Sequence, residues 1–329
     1  MTPLHIAVEK GHAEIVRLLL QNPKLDINLF CKCSQINSRS KETALHVAVE
    51  KEDLQIIQQL LMNSKINVNL SSKMERGRGS SVNDEVPLHV AVRNKNIEIV
   101  KLLLQNANID INYPMISTFV STESDFLSIS RHESKRERTA LHLAIENNDI
   151  EIVKLLLSND KVDINSCIKF TSFGSEKNEK INYSCAIKQE TPALYFAVDE
   201  NCIEIVRLLL KNEKIDVNLP SVNKIDSSDA KFSKSEEIAP LHVAVKNKRI
   251  EIGRYLLENE KINVNLPMKS SNESESDKTP LHLAVIAGHL EIIKMLIQNK
   301  NIDLNTYDFY SKKPIDYSQN TEIYELFAD

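Results

Sequence analysis

The chain has 329 residues, with 41 Lys+Arg against 46 Asp+Glu and a net charge of −5. That balance leaves no basic surplus for a phosphate backbone, so nucleic acid is not an expected partner. No apolar run approaches membrane-spanning length, so direct membrane insertion is not expected either.

Taken in chain order, the sequence repeats itself. TPLHIAV at Thr2–Val8 begins a helix, with Thr2 as N-cap and Pro3 at the first helical position. Leu4, Ala7 and Val8 share one face of that helix. A turn at Lys10–Gly11–His12 leads to a second helix near Ala13, expected to bury Ile15, Val16, Leu19 and Leu20. LDINL at Leu25–Leu29 follows and reads as a short extended piece. The first phrase returns as TALHVAV at Thr43, VPLHVAV at Val86, TALHLAI at Thr139, PALYFAV at Pro192, APLHVAV at Ala239 and TPLHLAV at Thr279. The repeats lie near 2–30, 43–70, 86–113, 139–166, 191–219, 239–266 and 279–306. Lys313–Tyr317 and Thr321–Phe327 read as a degenerate cap over 313–328, with Ile315, Ile323, Leu326 and Phe327 covering the last repeat. One such unit cannot bury enough surface to stand alone, so neighbours must stack.

T-P-L-H-x-A followed by a second helix resembles the ankyrin repeat. The resemblance implies L-shaped units, each a helix pair with a projecting β-hairpin finger. It also implies an all-α solenoid, elongated and curved, carrying such fingers as one array over 1–329. The leucines at 4, 45, 88, 141, 194, 241 and 281 lie farther apart than the family period of about 33 residues. The surplus falls at the fingers: 30–42, 71–85, 114–138, 166–190, 220–238 and 267–278. In 166–190, Ile168, Phe170, Ile181 and Tyr183 alternate about a turn at Gly174–Asn178, which predicts a long hairpin. Cys167 and Cys185 would then face each other. Pro114–Ser130 is too apolar for a solvated loop, so docking on the chain's own flank is expected. The other insertions are polar and expected to be mobile.

The histidines do not make an active site. His5, His46, His89, His142, His242 and His282 occupy one recurring position, where the resemblance implies hydrogen bonds to neighbouring backbone and threonine. A catalytic group would not be needed once per repeat. Tyr195 replaces this histidine in the fifth repeat, which puts the bond there in question. Gly11 and Gly288 sit at the inter-helix turn; elsewhere Asn96, Asn148, Asn201 and Lys248 or Asp53 are expected to take the left-handed conformation. Arg131–Arg138 is basic but interrupted by glutamates, which favours a solvated segment over a phosphate site.

The expected function is non-catalytic: a scaffold or adaptor for a protein partner, with no metal and no cofactor. The resemblance implies binding through a concave groove lined by the two residues after each Ala-Val or Ala-Ile pair. These are Glu9 and Lys10, Glu50 and Lys51, Arg93 and Asn94, Glu146 and Asn147, Asp199 and Glu200, Lys246 and Asn247, and Ile286 and Ala287. Ile286, with Tyr307 and Phe309 downstream, is the candidate hydrophobic hot spot. An alternative is the regulatory or targeting arm of a larger signalling protein. Five cysteines without CxxC, and a repeat directly after Met1, read as a monomeric cytoplasmic or nuclear protein.

Overall fold

The structure is a computed structural model that describes residues 1–329 apart from 36–37, 77–80, 126–127, 179–181, 230–232 and 329, with side chains at 33–39, 76, 122–130 and 176–183 also outside the description. The chain forms two compact units, Met1–Asp163 and Ile164–Asp329. The first holds four helix pairs: α1 (Pro3–Glu9) and α2 (Ala13–Leu20), α3 (Ala44–Glu50) and α4 (Leu54–Leu61), α5 (Pro87–Arg93) and α6 (Ile97–Leu104), α7 (Ala140–Glu146) and α8 (Ile150–Leu157). The second holds α9 (Ala193–Asp199) and α10 (Ile203–Leu210), α11 (Pro240–Lys246) and α12 (Ile250–Glu258), α13 (Pro280–Ile286) and α14 (Leu290–Ile297), then a 3-10 turn (Pro314–Tyr317) and α15 (Thr321–Ala328).

These helices form for local reasons. Thr2 accepts from the His5 amide at 3.4 Å, and Pro3 occupies the first turn of α1. Asp53, Asn96 and Asp149 cap the second helices by accepting from Ile56, Ile99 and Ile152 at 3.0–3.1 Å. In every full repeat the left-handed residue directly precedes the N-cap of the second helix, whether or not that cap makes a side-chain bond, so it falls on Glu52 and Lys95 rather than on Asp53 and Asn96. Asn148, Asn201 and Lys248 do adopt positive φ, as do Gly11 and Gly288.

The apolar stripes meet between neighbouring pairs. Leu45, Ile56, Ile57, Leu60, Leu88, Ile99 and Leu103 are fully buried. The first repeat departs from expectation. Ile15 is 48% exposed and Leu18 54%, whereas Ile56 and Ile99, at the Ile15 position, are 0% exposed. In the later repeats of the first unit that face packs against the preceding helix pair. At the far end Ile323 is buried, with Ile315, Leu326 and Phe327 half-buried.

An all-α description is incomplete, because the fingers are strands. In the first unit β1 (Phe30–Gln35), β2 (Ser38–Thr43), β3 (Ser72–Arg76), β4 (Ser81–Glu85), β5 (Met115–Asp125) and β6 (Ser128–Arg138) pair antiparallel in chain order. In the second, β7 (Cys167–Asn178), β8 (Asn182–Pro192), β9 (Ser221–Ser227), β10 (Lys234–Ile238) and β11 (Lys269–Ser270) do the same. Strands therefore run through the polar insertions expected to be mobile, although 267–278 contributes only the two residues of β11. Each hairpin satisfies its backbone against the next, which a lone polar loop could not do.

The apolar segment Pro114–Ser130, expected to dock on the flank, runs through β5 and into β6 of a hairpin. Met115 is buried at its base and Phe119 is 45% exposed, while Phe126, Leu127 and the Ile129 side chain lie outside the described residues. The 166–190 hairpin is present, but Gly174–Asn178, expected to be its turn, belongs to β7, and Ile181 lies outside the described residues. The register sets Cys167 opposite Pro192 and Cys185 opposite Gly174, so these cysteines do not face each other.

Candidate protein-interaction site

The recurring histidine builds the platform. His46 lies 1% exposed, and its Nδ1 accepts from the Thr43 amide at 3.4 Å. Nδ1 accepts in the same way in α5 and α13, from Val86 and Thr279 at 3.2 Å each, and in α7 from Thr139 at 3.2 Å. An accepting Nδ1 leaves the proton on Nε2. Nε2 then donates to the carbonyl just before the next repeat: His5 to Glu42, His46 to Glu85 and His282 to Lys312, each at 3.1 Å. Burial pushes His46 and His242 down to about 4 and His89 to about 3, with partial compensation from nearby backbone carbonyls. His5, His46 and His282 thus connect a first helix to the base of the next finger, whereas His89 Nε2 and both ring nitrogens of His242 are buried without a hydrogen bond among the described residues. The Tyr195 hydroxyl makes no hydrogen bond among the described residues, and Pro192, the N-cap of α9, has no side-chain cap bond. Burial, then Asp199 and Glu236, push Tyr195 up to about 12.

A second connector escaped the sequence reading. The stretch read as extended, Leu25–Leu29 and its counterparts, is a turn. Asn28 donates Nδ2 to the Lys65 carbonyl at 2.8 Å and accepts from the Asn67 amide at 2.9 Å. Asn69 bridges to Asn108 and Asp110, and Asn112 to Lys161 and Asp163, at 2.7–2.8 Å. In the second unit Asn165 bridges to Lys214 and Asp216, Asn218 to Lys261 and Asn263, and Asn265 to Asn301 and Asp303, at 2.7–2.9 Å. The only signal in the sequence was recurrence, an asparagine two residues after each Asp or Asn.

With the interior so fixed, the expected binding positions fall on the last residue and C-cap of each first helix. Several are engaged within their own unit. Arg93 reaches Glu50 at 2.6 Å and Glu85 at 3.2 Å. Burial works against its charge, but Glu85 and Glu50 outweigh it and hold the guanidinium more basic than usual. Glu146 is held by Arg138 at 2.5 Å and Arg136 at 3.7 Å, and Asn147 donates to the Val92 carbonyl at 3.4 Å. Asn247 donates to Asp199 at 3.0 Å. These residues stitch neighbouring repeats. The others, Glu9, Lys10, Lys51, Glu200, Lys246, Ile286 and Ala287, are exposed, with Asn94 half-buried.

In the second unit, exposed apolar side chains lie at the end of α13 and in the segment after the last full repeat, as they do around the first repeat in the first unit, at Ile6, Ile15, Leu18, Leu29 and Phe30. Ile286 is 46% exposed, Tyr307 60%, Phe309 47% and Tyr310 50%. Phe309 and Tyr310 meet edge-to-face at 5.5 Å between centroids, and Lys313 lies 5.6 Å over the Tyr307 ring. Beneath them Asp308 accepts from the Tyr317 hydroxyl and from the Tyr310 and Lys312 amides at 3.0 Å. Burial raises the Asp308 pKa, but Tyr317 and the amides outweigh it and hold the carboxyl below its ordinary value. The basic run of β6 is paired along its length, Arg131 with Glu133 and Lys135 with Glu137. A cleft of about 400 Å³ lies beside β10, lined by Glu236, Ser271, Asn272 and Glu275 among others. Its walls bond to each other, Ser235 N to Ser271 Oγ at 2.9 Å and Ser271 N to Ser235 O at 2.8 Å. Among the described residues no group of three or more His, Cys, Asp or Glu is placed to hold a metal ion, and no helix is long and apolar enough to cross a membrane.

Sequence profiles described as "Ankyrin repeats (3 copies)" match residues 1–72, 29–115, 87–168, 125–221 and 218–308. The chain belongs to the ankyrin-repeat family. Among solved structures it is similar to the ankyrin repeat domain of Bcl-3, described as a unique member of the IkappaB protein family. That similarity has 19% identity, covers 100% of this chain and 99% of the other, and has a TM-score of 0.51. It also matches EF0377, an ankyrin repeat protein, at 20% identity over 74% of this chain and 96% of the other, with a TM-score of 0.46. No curated protein sequence matches the chain. Ankyrin repeats are generally protein–protein interaction modules.

Proposed function

We propose that this chain is a non-catalytic scaffold or adaptor that binds a protein partner through its first-helix ends and fingers. The observation that carries this reading is a contrast within the repeat. The Leu, His, Ala and Val positions are buried and nearly constant, whereas the residues that follow them, exposed apart from half-buried Asn94 and Asn147, vary from Glu-Lys to Ile-Ala. Binding energy is concentrated at apolar and aromatic anchors. In the second unit those are Ile286, Tyr307, Phe309 and Tyr310. The protein acts as a monomer in the cytoplasm or nucleus, in signalling. The test is quantitative capture by immobilised wild-type chain and by Ile286→Asp. The variant is expected to lose the captured partner with its melting temperature unchanged. Retention of the partner at wild-type level would overturn this placement.

A further inference from the structure

The ladder of fingers carries charge where a sheet would not be expected to hold it. In the first unit Lys32 of β1 sits directly opposite Lys41 of β2, and Lys41 directly opposite Lys73 of β3. Cross-strand partners share a face, with Cβ atoms about 5 Å apart, so these ammonium stems stand side by side over a line of roughly 10 Å. All three are exposed and, among the described residues, none forms a salt bridge. Like charges directly opposite destabilise a sheet. A lysine on the edge strand β1 discourages strand pairing, but that reason does not extend to Lys41 and Lys73, whose strands are paired on both sides. The second unit repeats the pattern, with exposed Lys188 of β8 opposite exposed Lys224 of β9.

The face is identifiable. Neighbouring residues on a strand point to opposite sides. Cys31 and Ser72, next to Lys32 and Lys73, are buried, and Glu85, cross-strand from Ser72, pairs with Arg93 at the end of α5. The lysines therefore lie on the face turned away from the first-helix ends, apart from the positions assigned above.

We propose that this lysine-lined finger face docks a short acidic segment of a protein, an extended Asp/Glu-rich or phosphorylated stretch. Alternate side chains of an extended peptide recur at about 7 Å, within reach of flexible lysine stems along such a row. Charge complementarity favours a peptide over nucleic acid. The rows are short: Asp84 follows Lys73 directly, and Glu190 and Asp226 share the face with Lys188 and Lys224. A continuous phosphate backbone would run onto those carboxylates, in a chain of net charge −5, where a few acidic residues would not.

The experiment is fluorescence anisotropy of a labelled oligoglutamate peptide against the full chain. Binding at low ionic strength is expected, weakening as salt rises past about 0.15 M. Replacing Lys32, Lys41 and Lys73 together with Gln is expected to weaken it roughly tenfold. Lys41→Glu alone is expected to weaken it while raising the melting temperature, because the central repulsion becomes attraction. Absent binding at low salt, undiminished binding by either variant, or tighter binding of an oligothymidylate of equal length would overturn the proposal. Ile286→Asp is expected to leave oligoglutamate affinity unchanged, so failure here and failure of the helix-end site are separately readable.

Discussion

Acidification is expected to loosen the stack well above the range where carboxylates ordinarily titrate. His46 and His242 are held at about 4 and His89 at about 3, against 6.5 for a free imidazole. Between the folded and unfolded values the unfolded chain binds more protons, so unfolding free energy rises with pH in that window. The histidine contribution is complete above about pH 6.5 and is lost as pH falls toward the folded values. At about pH 5 each ring has forfeited about 1.5 pH units, or roughly 2 kcal/mol. His46 and His89 together thus weaken the first unit by about 4 kcal/mol, comparable to much of a domain's stability. Glu42 works the other way: burial raises its pKa, so it destabilises the fold as pH rises rather than as it falls. Its contribution is a single group against two. Urea unfolding followed by circular dichroism from about pH 7.5 to 5 measures the slope. His46→Gln should lower stability at the upper end and flatten the slope. A midpoint that does not move across this range, or a slope the variant leaves intact, would refute the reasoning.

Other expectations follow from single contacts. Asn112→Ala removes the bridge to Lys161 and Asp163 and should cost about 1–3 kcal/mol in urea unfolding, from two hydrogen bonds worth about 0.5–1.5 kcal/mol each; a change near zero would mean that water replaces it. Pro192→Thr with Tyr195→His restores the cap and connector missing from the fifth repeat, and should raise stability by about 1 kcal/mol. Lys95→Gly relieves a φ of 56° and should raise the unfolding midpoint by about 0.5–1 kcal/mol equivalent, whereas a fall would show that the turn is unstrained.

What the sequence made legible is what is local or recurrent. Thr2, Pro3 and the stripe of Leu4, Ala7 and Val8 specify a helix from neighbours within a turn, and recurrence marks His46 and its equivalents as structural. Pairings between repeats were not legible. Lys41 meets Lys73 across a whole helix pair, and nothing in a polar insertion announces that another will lie beside it. The same limit hid the asparagine bridges and the stitching of Arg93 to Glu50, since both depend on where the next repeat falls. The left-handed turn falls on Lys95 rather than Asn96 because repeat register fixes it one residue before the second helix's N-cap, and Asn96 aligns with Asp149, not with Asn148.

The most direct measurement of the central claim is hydrogen exchange of the chain with and without its captured partner. The account predicts added protection at 246–247, 286–287 and 307–310, with α10, α12 and α14 unchanged on their outward faces. Protection confined to those second helices, with the first-helix ends unaffected, would contradict it.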